Sequence, residues 1–305
     1  MKAAVLEAIK KSAAVPSMPQ VVSRFLEITQ DPGFEYRDLV KVLSVDAGTV
    51  SEILRLANSA LFGVRNKVVS LQQALTLLGP KRTRSLLLGR YLVDAMSQKG
   101  MEGLDMSYFW RRSLTSSLVA SQFAAKLSPR HRDDASIGAL LADIGIPILL
   151  EAFPDTYGPI AGEYKPRGDY VSVTREQKAV GVTHGEVSAM VMAHWSLPGS
   201  LTDAVNLHQS KDPGDDDPAL VARILNSSDR IAKLLCEMPS QEDISAICLK
   251  ATAFVGMDIG TLAAMLPTIE NDIEELAEAL RIDVIPSKVY ALIAKTVEEQ
   301  LGVST

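Results

Sequence analysis

The feature that most limits the fold of this chain is the spacing of its apolar residues, which is helical along nearly the whole length. Apolar side chains recur at steps of three and four residues, as in Val50, Ile53, Leu54 and Ala57. No segment alternates apolar and polar residues over six positions between turn signals, as a half-buried strand would. The best strand candidate, residues 169–174, stands alone. The sequence therefore predicts an all-α fold.

Local signals also predict where one helix stops and another begins. Ser70, followed by Leu71-Gln72-Gln73, has the pattern of a helix N-cap with polar support three residues on. Gly79-Pro80 predicts the end of that helix, and the next is expected to begin at Lys81.

The bulk composition narrows the class of protein. At 305 residues, with 47% apolar and 22% charged residues, the chain has the composition of a soluble globular protein with ample core. A net charge of -6 disfavours generic nucleic-acid binding. No run of apolar residues reaches the length of a membrane span, so membrane insertion is not expected. Cys236 and Cys248, the two cysteines, are expected to be buried thiols of a cytoplasmic protein.

Breaks in composition divide the chain into three predicted parts. Polar, glycine- and proline-containing stretches fall at 97–100, 164–169 and 210–218. We therefore expect an N-terminal helical part over 1–97, a second helical part over 98–240 and a C-terminal helical extension over 241–305.

One compact segment has the pattern of a helix that ends in a turn. Leu56 and Ala57 are spaced to pack inward, and Asn58 and Ser59 are polar groups that can satisfy backbone groups at a helix end. Gly63 permits the chain to leave through positive φ. The segment is either a corner that defines the fold or a surface where a partner or small ligand binds.

A succession of spaced motifs resembles the HDOD domain family, whose members are related to HD phosphohydrolases. The matching segments are Pro16-Ser17-Met18-Pro19, Leu56-Ala57-Asn58-Ser59-Ala60-Leu61-Phe62-Gly63, Leu140-Leu141-Ala142-Asp143-Ile144-Gly145 and His184-Gly185-Glu186-Val187. The resemblance implies an N-terminal helical bundle packed on an HD-like helical bundle. It also implies a role in bacterial signalling without demonstrated catalysis.

The resemblance further implies where a metal would have been bound. HD hydrolases hold divalent metals with His and Asp side chains, and the metal lowers the pKa of a bound water for attack on phosphorus. The core ligand positions fall at Arg112, Ala142, Asp143 and Asp229, so two of the four ligands are absent. We therefore expect no catalytic residue, no metal and no other cofactor. If a metal is held, the candidate ligands are Asp143, His184, His208 and Asp229.

The arginine at position 112 suggests a replacement for the metal. A guanidinium stays protonated and offers no lone pair to a cation. If the bundle geometry persists, Arg112 is expected to form an ion pair with Asp143; otherwise both side chains reach solvent.

A basic cluster is the remaining candidate for recognition. Lys81, Arg82 and Arg84 form either a solvated helix start or a docking patch for an acidic partner or a nucleotide phosphate. We interpret the chain as a non-catalytic signal-transduction module that contacts signalling proteins in trans, with kinases and cyclic-dinucleotide enzymes as candidates. The rival hypotheses are a divergent metal-dependent phosphohydrolase with a reduced site and a nucleotide sensor that uses the former active-site cleft.

Overall fold

The computed structural model describes residues 2–11, 14–31, 33–58, 67–97, 101–237 and 240–280, with residues 293, 295, 296 and 299 near the C-terminus. Over these residues the chain forms fifteen α-helices and no β-strand. The predicted all-α fold is confirmed. The candidate strand at 169–174 is instead an irregular segment that leads into a short helix.

The chain forms two compact units, and the smaller one comprises residues 16–100 and 274–282. Its helices are α2 (Gln20–Gln30), α3 (Tyr36–Leu43), α4 (Ala47–Ala57) and α5 (Leu71–Ser97). Each helix turns an apolar stripe inward, so that Phe25, Leu39, Ile53 and Leu88 are fully buried. This unit therefore has its own apolar core.

The break predicted within α5 is present. The Oγ atom of Ser70 accepts from the backbone N–H of Gln73 at 3.2 Å, as an N-cap does. Gly79 has a φ of 75°, which lies in the left-handed region, and Pro80 follows it without a backbone N–H to donate. The helix is therefore two helical pieces separated by a kink.

The family motif near residue 58 is described only at its start, where it forms a corner. The side-chain amide of Asn58 donates to the carbonyls of Leu54 and Val68 at 2.7 and 2.8 Å, and its oxygen accepts from the N–H of Val68 at 2.7 Å. These hydrogen bonds connect the end of α4 to Val68, ten residues later. They favour the interpretation of the motif as a corner that defines the fold. The side chain of Leu56, and the whole of Ser59, Phe62 and Gly63, lie outside the described residues.

The larger unit comprises residues 1–15, 101–273 and 283–305. Its helices are α1 (Lys2–Lys10), α6 (Met106–Leu127), α7 (Arg132–Leu141), α8 (Gly145–Ala152), α9 (Pro154–Ala161), α10 (Val173–Ala179), α11 (His184–His194), α12 (Gly199–Leu207), α13 (Asp217–Leu235), α14 (Gln241–Val255) and α15 (Ile259–Leu280), the last of which extends past this unit. Helix α6 packs along both α7 and α13. Because α6 and α13 are buried over most of their length, a charged side chain on their buried faces needs a partner inside the unit to offset the loss of hydration.

Two segments near the ends of the chain group with the larger unit. The first residues of the chain group with the larger unit, where Ile9 of α1 is buried. Residues 241–273, which are part of the predicted C-terminal extension, also group with it, because α14 packs on α13 and buries Ile244 and Cys248 completely. Breaks in composition are enough to predict loops, but which helices share a core depends on the side chains that they bury against one another.

Over the described residues, two apolar stretches pass a length-and-composition test for a membrane span. Pro129–Ala152 passes alone, and 83% of its most apolar window is buried within the protein. Glu242–Val255 and Ile259–Glu270 pass only if they are joined across a bend of 105°. This first stretch includes α7 and α8, most of whose residues are buried within the larger unit.

Candidate functional site

Three elements of the larger unit bring one carboxylate and two imidazoles together. Asp143 lies in the turn between α7 and α8, His184 is the first residue of α11, and His208 follows the last residue of α12. One potential ligand atom from each residue lies within 4.8 Å of the other two. Their exposed fractions are 7%, 1% and 1%. Three of the four candidate metal ligands thus converge in the protein interior.

A hydroxyl and a glycine hold the turn of Asp143 against α11. The Oγ atom of Ser188 donates to the carbonyl of Ala142 at 2.7 Å and accepts from the N–H of Gly145 at 2.9 Å. A Cβ atom at Gly145 would lie 2.1 Å from the carbonyl oxygen of His184, which no real structure tolerates. Glycine is therefore required for the close approach that brings Asp143 to His184.

The start of α11 is fixed by a reciprocal capping box. The Thr183 hydroxyl accepts from the N–H of Glu186 at 3.2 Å, and the Glu186 carboxylate accepts from the N–H of Thr183 at 3.1 Å. This places His184 in the first turn. A Cβ atom at Gly185 would lie 3.2 Å from Cε1 of His208, so the glycine leaves room for the second imidazole. The two ring centroids are 5.3 Å apart.

Both imidazoles are oriented through their Nδ1 atoms. Nδ1 of His184 lies 2.9 and 3.0 Å from the two carboxylate oxygens of Glu176, which is completely buried. Nδ1 of His208 lies 2.6 Å from the carbonyl oxygen of Val205, an acceptor only, so this Nδ1 carries a proton. The Nε2 atoms then face Oδ1 of Asp143, at 3.5 Å from His184 and 3.4 Å from His208. Among the described residues neither Nε2 atom has a well-formed hydrogen bond.

The buried charges shift the pKa values of the cluster. Burial opposes ionisation of Asp143, but the interaction with His208 and the charges of His184 and Arg112 outweigh it and hold the pKa of this carboxyl below its ordinary value. Burial likewise opposes protonation of His184, but the neighbouring Glu176 and Asp143 carboxylates raise the pKa of its imidazole above the ordinary value. The centre is therefore one that attracts positive charge.

Arg112 reaches the same interior from α6, but its partner is not the one predicted. Its Nε and Nη2 atoms donate to the two carboxylate oxygens of Asp229 at 2.7 and 2.6 Å. The predicted pairing of Arg112 with Asp143 is therefore corrected to a pairing with Asp229. The physical reason is the packing of α6 along α13, which places the Asp229 carboxylate against the guanidinium edge.

Two tyrosine rings pack close to the guanidinium. The Cζ atom of Arg112 lies 4.5 Å from the ring centroid of Tyr164 and 5.0 Å from that of Tyr170, and the residue is only 2% exposed. The Tyr164 hydroxyl donates to Oδ2 of Asp143 at 3.0 Å. Burial opposes the charge on Arg112, but the carboxylate of Asp229 outweighs it and raises the guanidinium pKa further. Tyr164 thus links the ion pair to the histidine cluster.

The basic cluster predicted as a docking patch is only partly described. Arg84 is half-buried, and its Nη2 atom donates to the hydroxyl of Thr29 at 3.2 Å. The side chains of Lys81 and Arg82 lie outside the described residues. A docking role for this cluster therefore stays a prediction.

The residues that orient the cluster could not be recognised from chemical motifs in the sequence. Glu176 lies in the polar helix Val173–Ala179 and has the sequence context of a surface acid. Ser188 and Tyr164 lie outside any chemical motif. One sequence signal could have identified Glu176 as a partner of His184. Glu176 lies eight residues before His184, and the turn between α10 and α11 brings the two side chains together.

The nitrogen and oxygen atoms that Asp143, His184 and His208 offer are of the types that bind metal ions. Two imidazole nitrogens and one carboxylate oxygen suit borderline divalent ions such as zinc or iron(II). A metal at this centre would be held by Asp143, His184 and His208. It would act as a Lewis acid there. Asp229, the fourth candidate, has both oxygens engaged by Arg112.

Comparison with known proteins agrees with this architecture. The family model described as the HDOD domain matches residues 15–211. A Shewanella amazonensis SB2B protein that carries a provisional phosphohydrolase name is 20% identical, with a TM-score of 0.73 over 92% of this chain and 98% of that chain. A Geobacter sulfurreducens HDOD domain protein with unknown function is 17% identical, with a TM-score of 0.66 over 91% of this chain and 98% of that chain. Likeness at these identities shows the fold.

A curated relative matches part of the chain. An uncharacterized protein of Treponema pallidum (strain Nichols) is 22% identical over 200 residues, which are 64% of this chain and 38% of that protein. The match therefore spans well under half the length of that relative.

Proposed function

Because this chain belongs to the HDOD domain family, we propose that it is a non-catalytic module of bacterial signal transduction that acts in the cytoplasm through contacts with other proteins. Its HD-type centre serves as a buried polar core element. The observation that carries this proposal is the ion pair between Arg112 and Asp229.

The ion pair supports a non-catalytic role because it occupies Asp229, one of the candidate metal ligands. The late aspartate of an HD hydrolase must offer an oxygen to the metal, but both oxygens of Asp229 accept hydrogen bonds from Arg112. A guanidinium can donate hydrogen bonds to a water, but it cannot coordinate the water oxygen and lower the pKa of that water as a metal does. Freeing Asp229 would strand a buried charge, at a cost of about 3–5 kcal/mol.

The burial of the centre supports the same proposal. Arg112, Asp143, His184, His208 and Asp229 are each less than a tenth exposed. A phosphodiester must contact the reacting groups directly, and the rings of Tyr164 and Tyr170 pack close to the guanidinium. A substrate would have to displace packed side chains to reach the centre.

An assay for hydrolysis tests the catalytic half of the proposal. The full chain, loaded in turn with Mn²⁺, Fe²⁺ and Zn²⁺, is incubated with bis(p-nitrophenyl) phosphate and with cyclic dinucleotides. We expect no turnover above the metal-only blank. Turnover that scales with protein concentration and is lost in Asp143→Asn would overturn the proposal.

A second assay tests the protein-contact half. Purified kinases and cyclic-dinucleotide enzymes from the organism that encodes this chain are assayed with and without it. We expect the rate of at least one to change in proportion to the amount of complex seen by analytical ultracentrifugation. A change in rate without a complex would contradict action through contact.

One observation favours a metal-dependent phosphohydrolase as the second candidate function. The convergence of Asp143, His184 and His208 gives such an enzyme three possible ligands. The hydrolysis assay separates it from the proposed function, because only the enzyme turns over substrate.

A further inference from the structure

The first helix of the larger unit turns one narrow face toward the protein. In α1 the side chains of Val5 and Leu6 are half-buried and that of Ile9 is 1% exposed, whereas the other residues of the helix are exposed. Together with Lys2, these residues stand at positions i, i+3, i+4 and i+7. This is the spacing by which an amphipathic helix lies in a groove of another protein. The helix α1 therefore has the pattern of a docked peptide.

The surface beneath α1 is apolar. The helix packs against α8 and α11. All the residues of α8 from Gly145 to Leu150 are buried, and they include Ile146, Ile148 and Leu149. Removal of α1 would uncover part of this surface, and an exposed apolar patch is a place where a partner can bind.

One carboxylate fixes the register of α1 on this surface. The Nζ atom of Lys2 donates to Oε1 of Glu186, and Oε2 of the same carboxylate accepts from the N–H of Thr183 at 3.1 Å. Glu186 is therefore shared between α1 and the capping box that begins α11. The negative charge of Glu186 favours a cation at the first anchor position of any helix that lies here.

The contacts of α1 hold it weakly. The side chain of Lys2 is 56% exposed, so its ion pair with Glu186 contributes little to stability. Ile9 is the one fully buried side chain of this nine-residue helix. A helix of this length is marginal in water without tertiary contacts. A second helix with the same anchor spacing can therefore compete with α1 for the surface.

We propose that the surface of α8 and α11 beneath α1 is a docking site for an amphipathic helix of a signalling protein, which replaces α1 there. The partner helix carries a lysine or arginine that pairs with Glu186, and aliphatic residues three, four and seven positions later. The helix α1 is then a ligand in cis that the partner displaces. This inference rests on the proposed function, because it says where one of the proposed protein contacts is made.

A peptide with the sequence of residues 1–11, labelled with fluorescein, tests whether the surface accepts a helix in trans. Its binding to the full chain and to two full-chain variants is measured by fluorescence anisotropy. Ile9→Asp removes the buried anchor of α1, so this variant should bind the peptide about 10-fold more tightly than the parent. The reason is that the linked α1 no longer competes at an effective concentration of about 1 mM. Ala8→Asp alters the exposed face of the same helix and should bind the peptide as the parent does.

Matched peptides and a second release variant keep the test decisive. Ile9→Asp in the peptide should abolish binding, and Lys2→Glu in the peptide should weaken it by about 2–5-fold. Far-UV circular dichroism and thermal unfolding verify the fold of each full-chain variant. If Ile9→Asp does not fold, Lys2→Glu in the full chain loosens α1 at the surface and should also raise the affinity for the peptide. No binding by a folded release variant, or equal binding by the parent and that variant, would overturn the inference.

The partner assay separates this inference from the proposed function. A kinase or cyclic-dinucleotide enzyme that forms a complex with this chain should bind Ile9→Asp about 10-fold more tightly than Ala8→Asp, and the peptide should compete with it. Equal affinity for the two variants would overturn the inference and leave the proposed function standing. A dimer of the parent that Ile9→Asp converts to a monomer would assign the surface to a second copy of this chain, which also overturns the inference. Hydrolysis of a phosphodiester by the parent would overturn the proposed function alone.

Discussion

Arg112 and Asp229 form a bidentate ion pair between α6 and α13, with the guanidinium 2% and the aspartate 7% exposed. Two hydrogen bonds align the planar groups, and the rings of Tyr164 and Tyr170 cover the cation. Both residues stand at positions that the resemblance to HD hydrolases assigns to metal ligands.

The ion pair should show strong coupling in a double-mutant cycle. Arg112→Met and Asp229→Leu should each lower the free energy of unfolding by about 3–5 kcal/mol, because each strands a buried charge. The double variant should lose less than the sum of the two. Urea denaturation measures all four proteins. As the control, Arg112→Met combined with Asp143→Asn should show weaker coupling, since these residues share no hydrogen bond; equal coupling would contradict the assigned partner.

Gly145 should not tolerate a side chain. Gly145→Ala places Cβ 2.1 Å from the carbonyl oxygen of His184, so backbone must move, and we expect a loss of about 3 kcal/mol in the free energy of unfolding. Gly199→Ala at the start of α12 is the matched control, because its Cβ would meet no atom within 4 Å. That variant should be neutral or more stable by up to about 1 kcal/mol. Equal effects in thermal or urea unfolding would show that the close approach is absent.

Ser188 should matter through two hydrogen bonds. Ser188→Ala leaves the carbonyl of Ala142 and the N–H of Gly145 without their partner inside the protein, and we expect a loss of about 1–3 kcal/mol. Ser51→Ala is the control, because the exposed hydroxyl of Ser51 bonds only to the carbonyl of Ala47 in its own helix. Urea unfolding should show a change of less than about 0.5 kcal/mol for that variant. A comparable loss in both variants would mean that the hydroxyl at 188 does not join the turn to α11.

The ionised carboxylate of Asp46 should stabilise the smaller unit, and this stabilisation should be lost at strongly acidic pH. A hydrogen bond from the Thr49 hydroxyl, supported by the backbone N–H groups of Thr49 and Gly48, holds the pKa of this carboxyl below 3.8. Because the folded-state pKa is lowered, the stabilisation is present above pH 3.8 and is lost as pH falls through the folded-state value. The stability difference between the parent and Asp46→Asn, measured by circular dichroism, should therefore shrink on acidification. A difference that is constant down to pH 2 would contradict it.

Local chemistry was enough to predict the features that depend on neighbours along the chain. The helical period predicted the all-α class, and Ser70 and Gly79-Pro80 predicted a helix start and a kink that the structure contains. Each of these follows from the backbone geometry of a few consecutive residues.

Tertiary packing decided the features that depend on residues distant in sequence. Asp143 and Asp229 are equivalent acids to a reader of the sequence, yet only Asp229 lies on the helix that packs against the guanidinium edge of Arg112. Glu176 has the context of a surface residue and becomes the fully buried support of His184. The sequence was sufficient to predict the helices and to identify most of the charged and histidine residues of the buried centre. Which charge meets which was decided by helix packing, because buried ion pairs need contact distances that only the folded core sets.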